Sequence, residues 1–183
     1  MNLYFRMVIV FFKIWLGHNK SWEKESILSF RVYPFDCDFN FHLTSARYVG
    51  FADLARIHLM GQMGIIRRFL KRRWLPFANG IEITYIRPIK PFQKFTVRSK
   101  VTSWDEKYLY VEHCFEADNK VMAIAIVRGV FVKDRNIVPM NDIVSLGGAD
   151  PFSPPPSKTM DQWKELLKVK KEEYSSVTTD NDS

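Results

Sequence analysis

The sequence is poor in the residues that define several protein classes. It has only two cysteines, Cys37 and Cys114, in 183 residues, so a disulfide framework is excluded and a reducing compartment is the simpler interpretation. No Cys and His residues have the spacing of a zinc site. Acidic residues are outnumbered, 20 against 27 Lys and Arg, which gives a net charge of +7. A basic balance suits anionic ligands such as lipid head groups, nucleic acid or phosphate-bearing molecules.

The sequence also lacks an apolar run that could cross a membrane. The run at residues 3–16 is interrupted by Arg6 and Lys13 and is shorter than the roughly 20 residues that a spanning helix needs. No small-residue cleavage site follows, which argues against a signal peptide. Its aromatic side chains could lie in a membrane interface, with Arg6 and Lys13 reaching lipid phosphates. Because apolar helix faces more often meet protein, we favour packing on the domain or on a partner subunit.

The order of the remaining elements predicts an α+β fold. A strand at 27–33 is followed by a long helix at 44–62 and a short basic helix at 65–73. Four strands come next, with tight turns at 104–107 and 118–120. An antiparallel sheet wrapped around the long helix satisfies this order. A hydrophobic content of 46% is enough for one folded domain with a substantial core.

The chain is predicted to have three segments. An apolar and aromatic segment covers residues 1–22, the main domain covers 23–147, and a tail covers 148–183. In the tail, a Pro-rich linker at 151–156 precedes a short amphipathic helix. The polar residues 175–183 are expected to be disordered.

Ionisable groups cluster just before the predicted long helix. Asp36 and Asp38 follow the first strand, and His42 comes four residues later. The helix opens at Thr44 or Ser45, where free backbone N–H groups and the helix dipole favour a developing oxyanion. If the strand continues, the two carboxylates share a face and repel each other, so that one could act as a base near neutral pH. They could instead only cap the loop and the helix.

These residues resemble the start of the hotdog-fold thioesterases of the 4-hydroxybenzoyl-CoA thioesterase type. Asp36-Cys37-Asp38 fits an Asp-x-Asp motif, His42 fits the loop after it, and Tyr48 to Arg56 fits Tyr-x-x-x-x-(Glu or Asp)-x-Ala-Arg. The branch described as thioesterase superfamily member six-like is more similar still. It shares Ala46-Arg47-Tyr48 and a later turn like Ser103-Trp104-Asp105.

The resemblance implies a hotdog fold, in which an antiparallel sheet wraps around one long central helix, and hydrolysis of an acyl-CoA thioester. It assigns Asp38 as general base or as nucleophile, and the backbone N–H of Ser45 as the donor to the thioester carbonyl. His42 would share a proton with Asp38 or hold the loop. Tyr48 and Phe51 are expected to line the acyl site. No metal and no organic cofactor is expected.

The resemblance also implies partners. It predicts a homodimer, or a dimer of dimers, with sites between subunits. Arg67 and Arg68 belong to a basic run at 67–73, which is either a solvated helix face or a site for coenzyme A phosphates or anionic lipid. No nucleic-acid-binding motif accompanies that run, so nucleic acid is not an expected partner. We expect a cytoplasmic protein, with peripheral membrane contact through residues 3–16 as an open option.

Other interpretations stay open. Many relatives read Gly-His-Val-Asn-Asn where this chain has Phe41-His42-Leu43-Thr44-Ser45. That change motivates a non-catalytic acyl-CoA or fatty-acid binding protein, attached to the membrane through residues 3–16. A structural membrane scaffold would leave the placement of Asp38 beside a helix start unexplained. Neither the Ser45 hydroxyl nor the Cys37 thiol is predicted to be a nucleophile, because neither has the surroundings that activate one.

Overall fold

The computed structural model describes residues 3–17, 21–148, 150 and 152–179, with the side chains of 175–179 excepted. The chain divides into two compact units between Ser153 and Pro154. The predicted segment 1–22 and the predicted domain 23–147 both fall in the first unit, although residues 1, 2 and 18–20 lie outside the described residues.

The first unit alternates helices and strands much as the sequence predicts. Its elements are α1 Leu3–Leu16, β1 Ser26–Arg31, a 3₁₀ turn Pro34–Asp36, α2 Ser45–Gln62, α3 Ile66–Arg72, β2 Leu75–Tyr85, β3 Lys94–Trp104, β4 Tyr108–Ala117, β5 Lys120–Lys133, β6 Asn136–Ile137 and α4 Met140–Gly147. The strand predicted at 27–33 and the helices predicted at 44–62 and 65–73 are confirmed to within two residues at each end. β6 and α4 were not predicted.

The sheet is antiparallel, with the strand order β1-β3-β4-β5-β2 and with β6 added beside β5. Both predicted turns are confirmed, since 105–107 joins β3 to β4 and 118–119 joins β4 to β5. Asp118 and Asn119 have φ angles of 49° and 58°, as the tight turns that suit twisted strands require. β1 and β2 are the two edge strands, and each has a sheet neighbour on one side only.

The long helix α2 lies against the sheet and is buried along most of its length. It packs against β1, β3 and β4, and Phe51 at its centre contacts the rings of Phe30 and Phe95. Buried residues occur on several sides of the helix, as predicted from its broad apolar face. A curved antiparallel sheet around one central helix is the architecture that the resemblance implied.

The N-terminal helix α1 packs on α2 through one face. Leu3 lies against Gly50, Ile14 lies against Gly61, and Val10 is buried between them. The packing interpretation is therefore confirmed for this face of the helix. In the described part of the chain, no helix is both long enough and apolar enough to cross a membrane.

The opposite face of α1 is exposed and strongly apolar. Its exposed large side chains are Tyr4, Phe5, Val8, Ile9, Phe11, Phe12, Trp15 and Leu16. The expectation that Arg6 reaches outward from this helix is wrong, because Arg6 is only 3% exposed and points into the domain.

The second unit consists of a stretch without helix or strand and one helix. Residues 154–157 carry no regular element, and α5 follows at Lys158–Thr179. The prediction of a short helix was wrong, since α5 has 22 residues and includes 175–179, which we expected to be disordered. Residues 180–183 lie outside the described residues.

Candidate active site

The two aspartates before α2 lie in different surroundings. β1 ends at Arg31, so the chain is no longer a strand at Asp36 or Asp38. Asp36 is fully buried in the 3₁₀ turn, whereas Asp38 is exposed in the loop that follows. The expectation that the two carboxylates share one face of a continued strand is therefore wrong.

The buried carboxylate of Asp36 is held by two arginines. Arg6 reaches it with both terminal nitrogens, Nη2 at 2.6 Å from Oδ2 and Nη1 at 3.3 Å from Oδ1. Nε of Arg47 lies 3.3 Å from Oδ1, and the backbone N–H of Tyr33 donates to Oδ2 at 3.0 Å. A carboxylate out of contact with water needs such compensation. Asp36 thus fixes the position of the loop.

Asp38 organises the turn that leads to the helix. Its Oδ1 accepts the backbone N–H of Asn40 at 2.9 Å and lies 3.5 Å from the N–H of His42. The backbone N–H of Asp38 in turn donates to the carbonyl of His42 at 3.0 Å, and Phe41 adopts a left-handed φ of 56°. The side chain of Asp38 therefore stays at the surface beside this turn, within the same loop as His42.

The first turn of α2 presents free backbone donors. Thr44 is the N-cap residue, with φ −67° and ψ 147°, and its hydroxyl does not cap the helix. Its own N–H donates to the carbonyl of Asp36 at 3.0 Å. Within the described part of the chain, the backbone N–H groups of Ser45 and Ala46 donate no hydrogen bond. Unpaired amides at a helix start attract negative charge.

A cavity of about 270 Å³ opens beside this first turn. It is lined by His42, Leu43, Ser45, Tyr48, Tyr85, Ile86, Arg87 and Pro88. Its walls therefore come from the 36–44 loop, from α2 and from the chain that leaves β2. Of the predicted site residues, the structure brings His42, Ser45 and Tyr48 together here. Asp38 lies in the loop that supplies His42 but does not line the cavity of the single chain.

Tyr48 supplies a neutral hydrogen-bond donor to the cavity wall. Burial raises the pKa of Tyr48 to about 12, and a hydrogen bond with the backbone at Ile89 partly opposes that rise. Its ring contacts Tyr85 at 5.1 Å and Phe115 at 5.1 Å between centroids. The phenol is therefore protonated throughout the physiological pH range, and its ring is fixed by its neighbours.

Three other predicted contact residues lie elsewhere. Phe51 is fully buried among core rings. Contrary to the expectation, it therefore does not line the cavity. Arg67 and Arg68 lie on α3, which follows the C-terminal end of α2, and α2 itself is about 27 Å long at 1.5 Å per residue. Arg68 donates to the carbonyl of Leu146. Within one chain, the two arginines are therefore not brought to the cavity.

The thiol beside the aspartates has the wrong environment for a nucleophile. Burial, together with the charges of Asp36 and Asp38, raises the pKa of Cys37. Its Sγ lies 3.6 Å from the carbonyl oxygen of Tyr33. A thiol that keeps its proton is a poor nucleophile, in line with the prediction.

Arg87 and Tyr85 are cavity residues that the sequence analysis missed. Arg87 is exposed, and its Nη1 donates to the carbonyl of Val121 at 2.9 Å. In the sequence, Arg87 follows a stretch of alternating apolar residues and precedes Pro88, which marks the point where the chain leaves a sheet. This position was the available signal for Arg87. That signal is weak, because nothing in it shows that the end of β2 lies beside the start of α2.

A larger groove, of about 440 Å³, lies between α1 and β1. Arg6 lines it, along with Val10, Leu28 and Phe30. It does not include the start of α2, so it lacks the unpaired amides that make the smaller cavity suitable for chemistry. We therefore take the smaller cavity as the candidate active site.

Comparison with protein families places the chain in a known group. The family model described as "Thioesterase-like superfamily" matches residues 32–151, which is well over half of the chain. The chain belongs to this superfamily. The matched range begins after α1 and contains the 36–44 loop, α2 and the whole sheet except β1.

Curated relatives support the same assignment. The chain is 37% identical over 82 residues to the probable thioesterase YBR096W of Saccharomyces cerevisiae, covering 43% of this chain and 34% of that protein. It is 33% identical over 111 residues to protein THEM6 of Xenopus laevis, covering 60% of this chain and 54% of that one. The chain thus spans about a third to a half of the length of these relatives.

Solved structures of other proteins share the fold. The probable thioesterase YbaW of Escherichia coli aligns with a TM-score of 0.62 at 17% identity, over 66% of this chain and 95% of its own. The protein SAV2348 of Staphylococcus aureus, determined in complex with CoA, aligns with a TM-score of 0.60 at 16% identity, over 70% of this chain and 84% of its own. These likenesses confirm the hotdog fold.

Proposed function

We propose that this protein is an acyl-CoA thioesterase that works at the start of α2. The observation that carries the proposal is the cavity of about 270 Å³ into which Ser45, Tyr48 and His42 converge beside unpaired helix amides. Such amides are suited to the oxyanion that forms when a thioester carbonyl is attacked. Membership of the thioesterase-like superfamily supports the same reaction.

The reaction can be written with the groups of this loop and helix. The carbonyl oxygen accepts the N–H of Ser45, which polarises the carbonyl carbon. Water attacks that carbon while the carboxylate of Asp38 takes a proton from it. The C–S bond then breaks, coenzyme A leaves as a thiolate, and the proton on Asp38 neutralises it. Alternatively, Asp38 attacks the carbon itself and the C–S bond breaks, so that coenzyme A leaves as a thiolate. Water then hydrolyses the resulting mixed anhydride, which releases the acid and regenerates the Asp38 carboxylate.

A second subunit would complete this site. Asp38 is at the surface of the single chain, and the cavity reaches Tyr85 at the end of the edge strand β2. β2 leaves unpaired backbone groups on its outer side and half-exposed apolar side chains, including Phe77 and Ile81. We propose a homodimer that pairs on this edge, so that the partner covers the open side of the cavity.

The proposed substrate carries phosphates, and the cavity wall carries a cation. Arg87 lines the cavity and is exposed, and we propose that it contacts the phosphates of a bound acyl-CoA. A protein with the same fold from Staphylococcus aureus was determined in complex with CoA, which supports coenzyme A as the carrier.

The proposal is tested by assaying hydrolysis of acyl-CoAs of graded chain length with wild type and Asp38→Asn. We expect Asp38→Asn to lower turnover by at least about 100-fold while acyl-CoA still binds, because the amide cannot take a proton or form an anhydride. Asp134→Asn makes the same chemical change in an exposed turn and should keep full activity. Full activity in Asp38→Asn would contradict the role of Asp38.

One observation favours a second function. The Oδ1 of Asp38 is already engaged by the amide of Asn40, which is what a purely structural turn residue would show. The alternative is therefore a non-catalytic acyl-CoA or fatty-acid binding protein. Absence of turnover in wild type, together with micromolar acyl-CoA binding that depends on Arg87, would establish that alternative instead.

We also propose that the exposed face of α1 contacts an anionic membrane surface. Phe11 and Trp15 on that face share a groove with Arg67 and Leu70 of α3. Lys13 lies exposed on the same helix. Aromatic side chains with neighbouring cations suit the boundary between acyl chains and phosphate head groups.

Vesicle cosedimentation tests this contact. Wild type should sediment with phosphatidylserine-containing vesicles and be partly released between about 100 and 500 mM salt. Phe12→Glu combined with Trp15→Glu should abolish sedimentation, whereas Phe152→Glu, which alters an exposed aromatic outside α1, should not. If wild type did not sediment with vesicles, and the double variant had a lower oligomeric mass than wild type, the exposed face of α1 would contact a second copy of the chain instead.

A further inference from the structure

The buried arginine of α1 lies outside the part of the chain that matches the superfamily. That match covers residues 32–151, whereas Arg6 comes from the preceding helix. Its guanidinium is nonetheless closer than that of Arg47 to Asp36, the first carboxylate of the Asp-x-Asp motif. A residue from outside the matched domain thus reaches the loop that forms the candidate active site.

Arg6 is held in a fixed orientation by four neighbours. Besides its two contacts with Asp36, its Nη2 donates to the carbonyl of Arg31 at 3.2 Å. Its guanidinium carbon lies 4.6 Å from the ring centroid of Phe51 and 5.6 Å from that of Tyr33. The planar group therefore joins the end of β1, the 3₁₀ turn and the core face of α2. A lysine could not make the same set of contacts, because it lacks the planar fork.

The position of Asp36 is transmitted to the helix start through one backbone bond. The carbonyl oxygen of Asp36 accepts the N–H of Thr44 at 3.0 Å, and Thr44 is the N-cap of α2. The free N–H of Ser45 comes next along the chain. Asp38 follows Asp36 by only two residues. A displacement of Asp36 would therefore change the distance between the carboxylate of Asp38 and the backbone amide of Ser45.

We infer that Arg6 is a positioning residue for the thioesterase site, acting through Asp36 on the distance between the Asp38 carboxylate and the Ser45 amide. This inference rests on the proposed function for its effect on turnover. Its structural part, that Arg6 orders the loop between the 3₁₀ turn and α2, stands on the contacts themselves. When Arg6 is lost, Arg47 still faces Asp36 and balances part of its charge. The loop should therefore lose order while the protein stays folded.

The test compares Arg6→Met with Lys170→Met in the full chain. Both variants replace a helix cation by a flexible apolar side chain, but Lys170 is exposed, on α5. We expect Arg6→Met to lower kcat about 10- to 100-fold, since misplaced reacting groups cost that much, with KM changed less than about twofold. Lys170→Met should leave both constants unchanged. Equal kcat values in the two variants would overturn the inference.

A second measurement does not depend on turnover. Hydrogen exchange of a peptide covering 36–46 should be at least about fivefold faster in Arg6→Met than in wild type, with exchange in β4 and β5 unchanged. Unchanged exchange in 36–46 would overturn the positioning role even if no thioesterase activity were found. Faster loop exchange in a protein without any turnover would instead leave Arg6 as an ordering residue and refute the proposed function.

Arg6→Lys covers the case in which Arg6→Met does not fold. It keeps the charge and loses the two-pronged contact with Asp36, so exchange in 36–46 and kcat should both lie between those of wild type and Arg6→Met. A lysine variant indistinguishable from wild type in both measurements would show that only the charge matters. That result would overturn the geometric role of Arg6.

Discussion

Asp36 and Asp38 show how two identical side chains take different roles within three residues. Asp36 is fully buried and meets the guanidinium groups of Arg6 and Arg47, so its charge is used to hold the loop. Asp38 is exposed and has one oxygen engaged by a backbone amide. Only the second carboxylate is free enough to meet a substrate or a water molecule.

His113 is a buried titratable residue with a predictable effect on stability. It is fully buried, its Nδ1 lies 2.7 Å from the Ser99 hydroxyl, and burial lowers its pKa to about 3, with the positive charge of Arg56 adding to the effect. The folded protein thus keeps this imidazole neutral down to about pH 3, whereas the unfolded chain binds a proton below about pH 6.5.

The free energy of unfolding should therefore fall as the pH is lowered from about 6.5 towards 3, with a contribution from His113 of at most about 1.4 kcal/mol per pH unit. Denaturant unfolding at several pH values measures the slope. His113→Leu combined with Ser99→Ala removes the titrating group and should reduce the slope. Ser99→Ala alone keeps the histidine and should retain most of it. Identical slopes in the double variant and wild type would contradict this role.

At the residue scale, the sequence predicted those lining residues of the candidate cavity that adjoin the helix start. His42, Ser45 and Tyr48 meet in the cavity because they lie in one loop and on one helix turn, where spacing determines position. Arg87 and Arg6 could not be predicted, because they reach the site from elements distant in sequence. Phe51 was misplaced because helix spacing does not distinguish a side chain facing the core from one facing the cavity.

The contact between α1 and α2 depends on a small residue. A Cβ atom at Gly61 would lie 2.5 Å from Cγ1 of Ile14, which is closer than two carbons can approach. Glycine at this point of α2 therefore lets the two helices touch. The same contact holds α1 at the distance from which Arg6 reaches Asp36.

Gly61→Ala should destabilise the protein by about 1–3 kcal/mol through this overlap, despite the better helix propensity of alanine. Ile14→Ala should relieve the overlap, so the double variant should be more stable than the sum of the two single changes predicts. Chemical denaturation of the four proteins gives this coupling. Additive effects would show that α1 does not pack on Gly61.

Element prediction succeeded where periodicity was strong and failed where it was weak. α2, β3 and β5 carry long apolar patterns, and their positions were predicted from them. α4 has only eight residues and β6 has two, which is too short for a period to show. α5 was predicted too short, since its C-terminal half is polar and carries little apolar signal.

At the scale of the whole molecule, the exposed edge strand β2 suits a partner. β2 is an 11-residue edge strand with half-exposed Phe77 and Ile81, and its end forms part of the cavity wall. A long apolar edge strand that stays exposed tends to pair with another strand. The proposed dimer would protect this edge and enclose the cavity at once.

Light scattering should give a mass twice the 21.6 kDa of one chain. Phe77→Lys should shift the mass towards a monomer and lower thioesterase activity with it, because a charge on the paired edge opposes association. Ile27→Lys places the same charge on an equally exposed position of the opposite edge strand and should leave the dimer intact. Monomeric wild type with full activity would contradict the proposed dimer.

The most direct test of the proposed chemistry is the backbone amide of Ser45. Proline is well tolerated at the first residue of a helix, and Thr44 before it already has the extended ψ of 147° that a following proline requires, so Ser45→Pro should remove the N–H and little else. We predict that Ser45→Pro lowers acyl-CoA turnover roughly 100- to 1,000-fold, as loss of an oxyanion donor does, with an unchanged unfolding midpoint. Ser45→Ala, which keeps the N–H, should retain wild-type turnover. Equal turnover in Ser45→Pro and Ser45→Ala would contradict the claim that the start of α2 activates the thioester.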